Sequence, residues 1–479
     1  MSPPRRIISL LTALLLSPLA ALPAAKTKPA KPNLVVILVD DMGYGDIGPF
    51  GSKLNRTPNL DRMAAEGMKL TSFYAAPVCT PSRAQMMTGC YAKRVSLPNV
   101  IFPSCPIGIS AKEHTVAELL KQQGYATMCI GKWHIGDQSD FLPTRHGFDH
   151  YLGLPYSNDM GGNGNPDSGG RVRPPLPLLR DNKVIEAPVD QDTLTARYTE
   201  EALKFITSNK DHPFFLYFPH TAVHVPLHPG TTFKGKSANG TYGDWVEEVD
   251  WSVGRVLNTL QELKLDSITL VLFTSDNGPW LTQDKNGGVA GPLRGGKGST
   301  WEGGMREPTI AWWPGQIATG SICDAPLSEM DVLPTFVTLA GGSVPSDHPI
   351  DGKDIWPVLA GQTQESPHAA LFYFNGNKLE AVRSGSWKLA ITPQALHDKP
   401  GDASEIVKHT GPRLYNLDTG IGELTDVAVQ HPDIVARLQR FVAQMDADLG
   451  VKGTGPGVRP PGHVVNPKPL LKRIGTEYD

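Results

Sequence analysis

Two pairs of oxygen donors each close an apolar run: Asp40-Asp41 follows Asn33–Val39, and Asp276-Asn277 follows Leu270–Phe273. Hard divalent cations take carboxylate and amide oxygens, and this set has no histidine or thiolate suited to zinc. Asp and Asn also end strands and cap turns for ordinary reasons. Two such pairs, both leaving apolar strands, favour a metal. Gly131-Lys132-Trp133-His134 follows a third apolar stretch, Ala126–Ile130, where Lys132 supplies a fixed cation and His134 can move protons near neutral pH. His220 and His224 come just past a fourth, Phe214–Phe218. Gly295-Gly296-Lys297-Gly298 is a glycine-rich turn that presents a lysine but lacks GxxxxGK[ST] spacing, which sets nucleotide binding aside. Cys79-Thr80-Pro81-Ser82-Arg83 fits neither a thiol-protease signature nor a CxxC redox or zinc site. Read locally, Pro81 sets φ, Ser82 caps a helix running from Arg83, and Gly89 closes it.

The elements that carry these residues form a pattern. The β-branched run Asn33–Val39 has the mark of a strand buried on both faces, as in a parallel sheet. Helices are expected at 59–67, 116–123, 195–208 and 244–263, with strands at 126–130, 214–218 and 268–273. Strands alternating with helices predict a doubly wound α/β core, and open sheets of this kind place ligands at the C-terminal strand ends. Beyond about residue 365 the segments Phe372–Phe374, Leu379–Arg383, Trp387–Ile391 and Leu414–Leu417 are short and turn-bounded, which predicts antiparallel strands, followed by a helix at Asp433–Asp448. The expected organisation is a catalytic domain over 32–365, a small C-terminal α+β subdomain over 366–450 and a Pro/Gly-rich tail over 451–479.

At 479 residues the chain can bury one large core plus a smaller domain. A net charge of −3 leaves no polybasic face for nucleic acid or anionic membrane. Arg5-Arg6, the apolar run Ile7–Leu16 and the alanine-rich stretch to Ala25 match an export signal over 1–25, too short to span a bilayer. A periplasmic or secreted protein without a membrane anchor is expected. If Cys79 is reserved for chemistry, Cys90, Cys105, Cys129 and Cys323 remain free to pair, without the sequence fixing any pairing. Cys129, in an apolar strand, reads equally as a buried free thiol.

Taken in order, the motifs Asp40–Asp46, Cys79–Gly89, Gly124–His134, Gly153–Asp159, the strand ending at His224, Ser275–Gly278 and Gly296-Lys297 resemble those of the sulfatases. The likeness is to the arylsulfatase A-like branch of the alkaline phosphatase superfamily, over about residues 32–450. The resemblance implies an alkaline phosphatase-like fold, a large mixed and mostly parallel sheet sandwiched by helices. It also implies an enzyme that hydrolyses sulfate monoesters, of aryl alcohols or carbohydrates, to alcohol and inorganic sulfate. Cys79 would be oxidised to Cα-formylglycine (3-oxoalanine) by a formylglycine-generating or other sulfatase-maturation enzyme. Asp40, Asp41, Asp276 and Asn277, with an oxygen on modified Cys79, would bind one calcium ion per subunit. Arg83 and Lys132 would hold the aldehyde hydrate, and Lys132, Lys297, His224 and Ser157 would contact sulfate. His224 or Lys297 would protonate the leaving alcohol, with His220 a second candidate at that position, and His134 would deprotonate the hydrate. One departure is Cys90, where the family often has arginine in the stretch that the maturation enzyme reads. Two other readings keep the same residues: a phosphodiesterase or phosphonate hydrolase, and a non-catalytic binder of sulfated glycans that leaves Cys79 unmodified. A third makes unmodified Cys79 a thiol nucleophile, which the nearby carboxylates disfavour.

Overall fold

Asn33–Val39 is apolar along nearly its whole length because both its faces and both its edges are covered. All seven residues are buried, and the strand pairs in parallel with Thr269–Ser275 on one side and Phe214–Pro219 on the other. The computed structural model describes Met1 and residues 31–161, 173–398, 406–407 and 411–471, so the export signal expected over 1–25 lies outside the described residues. Phe214–Pro219 pairs in parallel with Ala126–Ile130, and that strand with His150–Gly153. Five parallel strands thus form the centre of an 11-stranded sheet. Its flanks are antiparallel. Arg306–Trp312 runs between Thr269–Ser275 and Met68–Tyr74, and Leu178–Arg180 with Lys183–Glu186 extends the far edge. Ser321–Cys323 and Leu327–Ser328 add to Met68–Tyr74 in parallel. The mixed, mostly parallel sheet expected from the sequence is present.

Alternation along the strand sorts its side chains into two cores, as a period of two demands. Leu34, Val36 and Leu38 point to one, packed with the helices Cys79–Thr88, Val116–Gln122 and Val332–Leu339. Val35, Ile37 and Val39 point to the other, under Pro58–Glu66, Leu194–Ser208 and Gly240–Glu262. The last helix starts one turn ahead of the expected Asp244. The Asp244 carboxylate accepts the backbone N–H groups of Gly235, Lys236 and Ser237 instead of capping its own helix.

Leu371–Asn375, Lys378–Ser384, Trp387–Ala390 and Arg413–Asn416 form a separate four-stranded antiparallel sheet, with Pro432–Asp448 packed on it through Leu438. In the Pro/Gly-rich tail, the described residues 451–471 are fixed by contacts with distant segments. Gly462–His463 pairs with Ile107–Gly108, and the Arg459 guanidinium binds the Glu113 carboxylate. All five cysteines are free thiols, with Cys129 buried. Among the described residues no helix is long and apolar enough to cross a membrane.

Candidate active site

Each of the five parallel strands delivers part of one site just past its C-terminal end, where an open α/β sheet gathers loops. Asp40 and Asp41 leave Asn33–Val39, and Asp276 and Asn277 leave Thr269–Ser275. Lys132 and His134 leave Ala126–Ile130, His224 follows Phe214–Pro219, and Ser157 follows His150–Gly153. Two loops come from the flank: the helix carrying Cys79 and Arg83, and the turn carrying Lys297.

The helix begins at Cys79 rather than at Arg83. Pro81 is tolerated in the first turn, where an N–H has no helical acceptor. Ser82 does not cap. Its hydroxyl accepts the Ala76 N–H and donates to the Asp276 carbonyl. Gly89 closes the helix in the left-handed region, its N–H on the Gln85 carbonyl. Starting at Cys79 puts residues 79 and 83 one turn apart on one face. The Arg83 fork then reaches Asp276 Oδ2 through Nε at 3.0 Å and Nη2 at 2.7 Å, with Nη2 also 3.3 Å from Asp40 Oδ2.

Around this fork, charges alternate in sign. Lys132 Nζ donates to Asp40 Oδ2 at 2.5 Å and to Ser157 Oγ at 3.2 Å. Lys297 Nζ donates to Asp41 Oδ2 at 2.7 Å and stands 4.2 Å over the Trp280 ring. Burial opposes ionisation of Asp40, yet Lys132 and Arg83 outweigh it and hold the carboxyl well below the usual range. Burial likewise works against the Lys132 and Lys297 ammonium groups, and Asp40 and Asp41 respectively reverse it and raise both. Asp276 moves the other way, pushed up to about 6 by burial first and the neighbouring Asp40 charge second. Burial pushes the Cys79 thiol up to about 12 against the pull of Lys132, so as a plain cysteine it is neutral.

The donors suit a hard divalent cation. Oxygens of Asp40 and Asp41 lie within 4.8 Å of each other and of Cys79 Sγ and a His224 ring nitrogen. Asn277 Nδ2 donates to Asp41 Oδ1 at 2.8 Å and to the Gly278 carbonyl, which leaves Asn277 Oδ1 buried without a partner. An orphaned amide oxygen beside two carboxylates is a ligand geometry that calcium or magnesium accepts. Asp276 is engaged differently, its Oδ1 taking the Asp41 N–H and its Oδ2 taking Arg83.

Of the two candidate histidines, His224 joins the group, with Nε2 3.6 Å from Asp41 Oδ2 and its ring 5.3 Å from Trp280. Burial, and then Lys297, lower its proton affinity. His220 turns away, its ring 4.2 Å from that of Phe218 and tilted 39° to it, with Nε2 at 3.4 Å from Ser252 Oγ. His134 has a fixed tautomer. Nε2 lies 2.9 Å from the Ile101 carbonyl, which can only accept, so Nε2 carries the proton and Nδ1 keeps a lone pair with no partner. Burial, then Lys132, keep this ring neutral by lowering its pKa well below the ordinary value.

Three contributors had no assigned role in the sequence reading. Asp46 pins the Asp40–Asp46 loop, accepting the N–H groups of Gly43 and Val289 and the Tyr242 hydroxyl. Its place in a motif quoted for its ligands was the available signal. Ile101 orients His134, and Trp280 lies beneath Lys297; neither residue type nor spacing marks them.

The chain matches the sulfatase family over residues 32–343 and the C-terminal region of aryl-sulfatase over 366–454. It is 44% identical to mouse (Mus musculus) N-acetylgalactosamine-6-sulfatase, covering 91% of this chain and 90% of that protein. It is 39% identical to human (Homo sapiens) arylsulfatase A, covering 90% and 91%. The crystal structure of PsFucS1 sulfatase from Pseudoalteromonas sp. superimposes with a TM-score of 0.81 at 29% identity, covering 88% of this chain and 91% of that one. Strand-end carboxylates, a helix led by Cys79 and two lysine-bearing loops therefore occur in a chain that belongs to the sulfatase family of sulfuric ester hydrolases.

Proposed function

We propose that this protein is an exported sulfatase that hydrolyses carbohydrate or aryl sulfate monoesters with a formylglycine made from Cys79 and a bound calcium ion. The observation that carries the reading is the gathering of three fixed cations, Arg83 and Lys132 fully buried and Lys297 with its side chain 10% exposed, around a residue 79 that is inert as a thiol. A neutral buried thiol is a poor nucleophile, whereas the surrounding cations suit a sulfuryl group that carries negative charge into the transition state. Residue 79, once oxidised by a maturation enzyme, supplies as its hydrate one hydroxyl to attack sulfur and a second whose deprotonation releases inorganic sulfate and restores the aldehyde. Arg83 and Lys132 hold that hydrate. Lys132, Lys297, His224 and Ser157 bind the sulfuryl oxygens. Lys297, charged at Nζ, or His224 passes a proton to the departing alcohol, and His134 Nδ1 takes one from the hydrate. Asp40, Asp41, Asp276, Asn277 and the modified residue 79 hold the calcium, which supplies Lewis-acid polarisation.

The test is turnover of an aryl sulfate, an aryl phosphodiester and a panel of sulfated sugars by protein co-expressed with a maturation enzyme, with released sulfate measured by ion chromatography. The sugars include N-acetylgalactosamine 6-sulfate, after the name of the mouse relative. Sulfate release at a kcat/KM well above the phosphodiester value supports the reading. Equal or better phosphodiester cleavage favours the phosphodiesterase alternative, and no turnover of any ester favours the binder.

Three further results are expected. Chelation should lower sulfate turnover by about 10³-fold or more, since several kcal/mol of charge stabilisation leave with the metal, and calcium should restore it. Restoration by zinc in place of calcium would contradict the all-oxygen ligand set. His134→Ala should lower steady-state turnover by about 10²–10⁴-fold. Because it impairs sulfate release rather than alcohol release, a rapid burst of alcohol should precede the slow phase, and a burst-free time course would remove His134 from that role. His224→Ala should lower kcat by about 10²-fold or more, while His220→Ala acts through melting temperature instead. The reverse order in kcat would reassign the two residues.

A further inference from the structure

We propose that His114, Asp347 and His348 form a second cation site, separate from the strand-end carboxylates, that takes one borderline transition-metal dication of the zinc type. One ligand atom from each lies within 4.8 Å of the other two. His114 Nε2 is 3.9 Å from Asp347 Oδ1, and His348 Nδ1 is 3.9 Å from Asp347 Oδ2, so each carboxylate oxygen faces a different imidazole. Both separations exceed hydrogen-bond range. His348 Nδ1 is buried and without a hydrogen-bond partner. The two rings meet edge to face at 5.1 Å. Zinc bonds of roughly 2.0–2.2 Å in a tetrahedron place ligand atoms about 3.3 Å apart. The three ligand atoms, within 4.8 Å of one another, reach that spacing by side-chain adjustments of no more than about 1.5 Å, with water completing the shell.

The spacing is set by the backbone on both sides. Arg459 donates through Nε and Nη2 to the Glu113 carboxylate at 2.8 and 2.6 Å, and through Nη1 to the Pro349 carbonyl at 2.9 Å. It thereby clamps the neighbour of His114 to the neighbour of His348. The second loop is also fixed farther on, where the N–H groups of Asp351 and Gly352 reach the Gly89 carbonyl. Preorganised ligands lose little freedom on binding, which favours affinity. Two imidazoles with one carboxylate select zinc, copper, nickel or cobalt over calcium and magnesium, the inverse of the preference of the Asp40, Asp41, Asp276 and Asn277 set. Asp347 is 74% exposed, so a cation can enter without opening the fold. No hydrogen bond or ion pair among the described residues joins the three to Asp40, Asp41, Asp276 or Asn277.

The experiment uses the full chain without an affinity tag, saturated with calcium so that the oxygen site is filled. Zinc is titrated by calorimetry and cobalt by visible absorption. One equivalent of each is expected, and the cobalt spectrum should lack the near-ultraviolet sulfur-to-cobalt band that ligation by Cys79 would give. His114→Ala and His348→Ala should each weaken zinc by roughly tenfold or more, and the double variant should abolish the transition. Melting in calcium close to that of the parent shows that the variants fold, as expected for half-buried side chains outside the two main cores. Absent saturable zinc binding in the parent, binding retained in the double variant, or a sulfur-to-cobalt band would each overturn the proposal.

Discussion

Cys79→Ala is expected to lower sulfate ester turnover by on the order of 10⁴-fold or more, the scale on which removing a covalent nucleophile from a concerted group acts. The melting temperature should change little, because the side chain lost at residue 79 is small and its helix is held by the contacts of Ser82, Arg83 and Gly89. The same experiment has a chemical arm. In active parent protein, the peptide carrying residue 79 should have lost one sulfur and two hydrogens and gained one oxygen. The variant should still bind sulfated ligand, since Lys132, Lys297 and His224 are untouched. Turnover of the alanine variant within tenfold of the parent would sink the aldehyde mechanism. A parent peptide with unmodified cysteine and full activity would do so as well. That second outcome would also have to explain how a thiol raised to about 12 by burial attacks an ester near neutral pH.

Lys388→Met is expected to cost roughly 3–5 kcal/mol of stability, the range for leaving a buried charge without its partner. Lys388 is fully buried, with Nζ 3.0 Å from Glu302 Oε1, 2.8 Å from Glu423 Oε1 and 2.9 Å from the Thr300 carbonyl. Glu302 also receives the hydroxyls of Tyr74 and Tyr373. Burial alone would raise the Glu302 carboxyl, but Lys388, then Arg383 and Arg306, hold it down at about 2. Its folded pKa lies below the unfolded value, so its contribution is full above pH of about 4.5 and is lost as pH falls toward 2. The cluster joins the antiparallel sheet to the segment Thr300–Glu302, a few residues past Lys297. Activity should therefore fall along with stability. Equilibrium urea denaturation measures the loss, and Glu302→Gln combined with Lys388→Met should recover part of it. A loss below about 1 kcal/mol would mean that water reaches the cluster and compensates the carboxylates.

Much of the site was legible in sequence because its residues sit at strand ends. A strand covered on both faces reads as a continuous apolar run, and whatever follows it lies at the ligand-binding edge of the sheet. Asp40, Asp41, Lys132, Asp276 and Asn277 were found in this way. The start of the helix at Cys79 was not, since Ser82 is a capping residue by type, and only its contacts with Ala76 and Asp276 show that it is spent elsewhere. The flanking strands Met68–Tyr74, Arg306–Trp312 and Leu178–Arg180 were missed too. Antiparallel strands at a sheet's flank carry mixed patterns, here with Lys69 and Thr71 half-buried among the buried residues of Met68–Tyr74.

What the sequence by itself determined was therefore the order of apolar strands, the polar groups at their ends and the motifs that mark the family. Those are local properties, set by side-chain period and by which residues stop a run. The tertiary structure alone decided which charges neutralise which. Lys132 meets Asp40 from 92 positions away and Lys297 meets Asp41 from 256. It also decided that His224 rather than His220 stands beside Asp41, and that Lys388 is buried between two glutamates. Such choices depend on distances across the sheet, and in a low-dielectric interior those distances decide whether neighbouring charges reverse the shift that burial imposes, as at Asp40, Lys132 and Lys297, or leave it standing, as at Asp276 and His134.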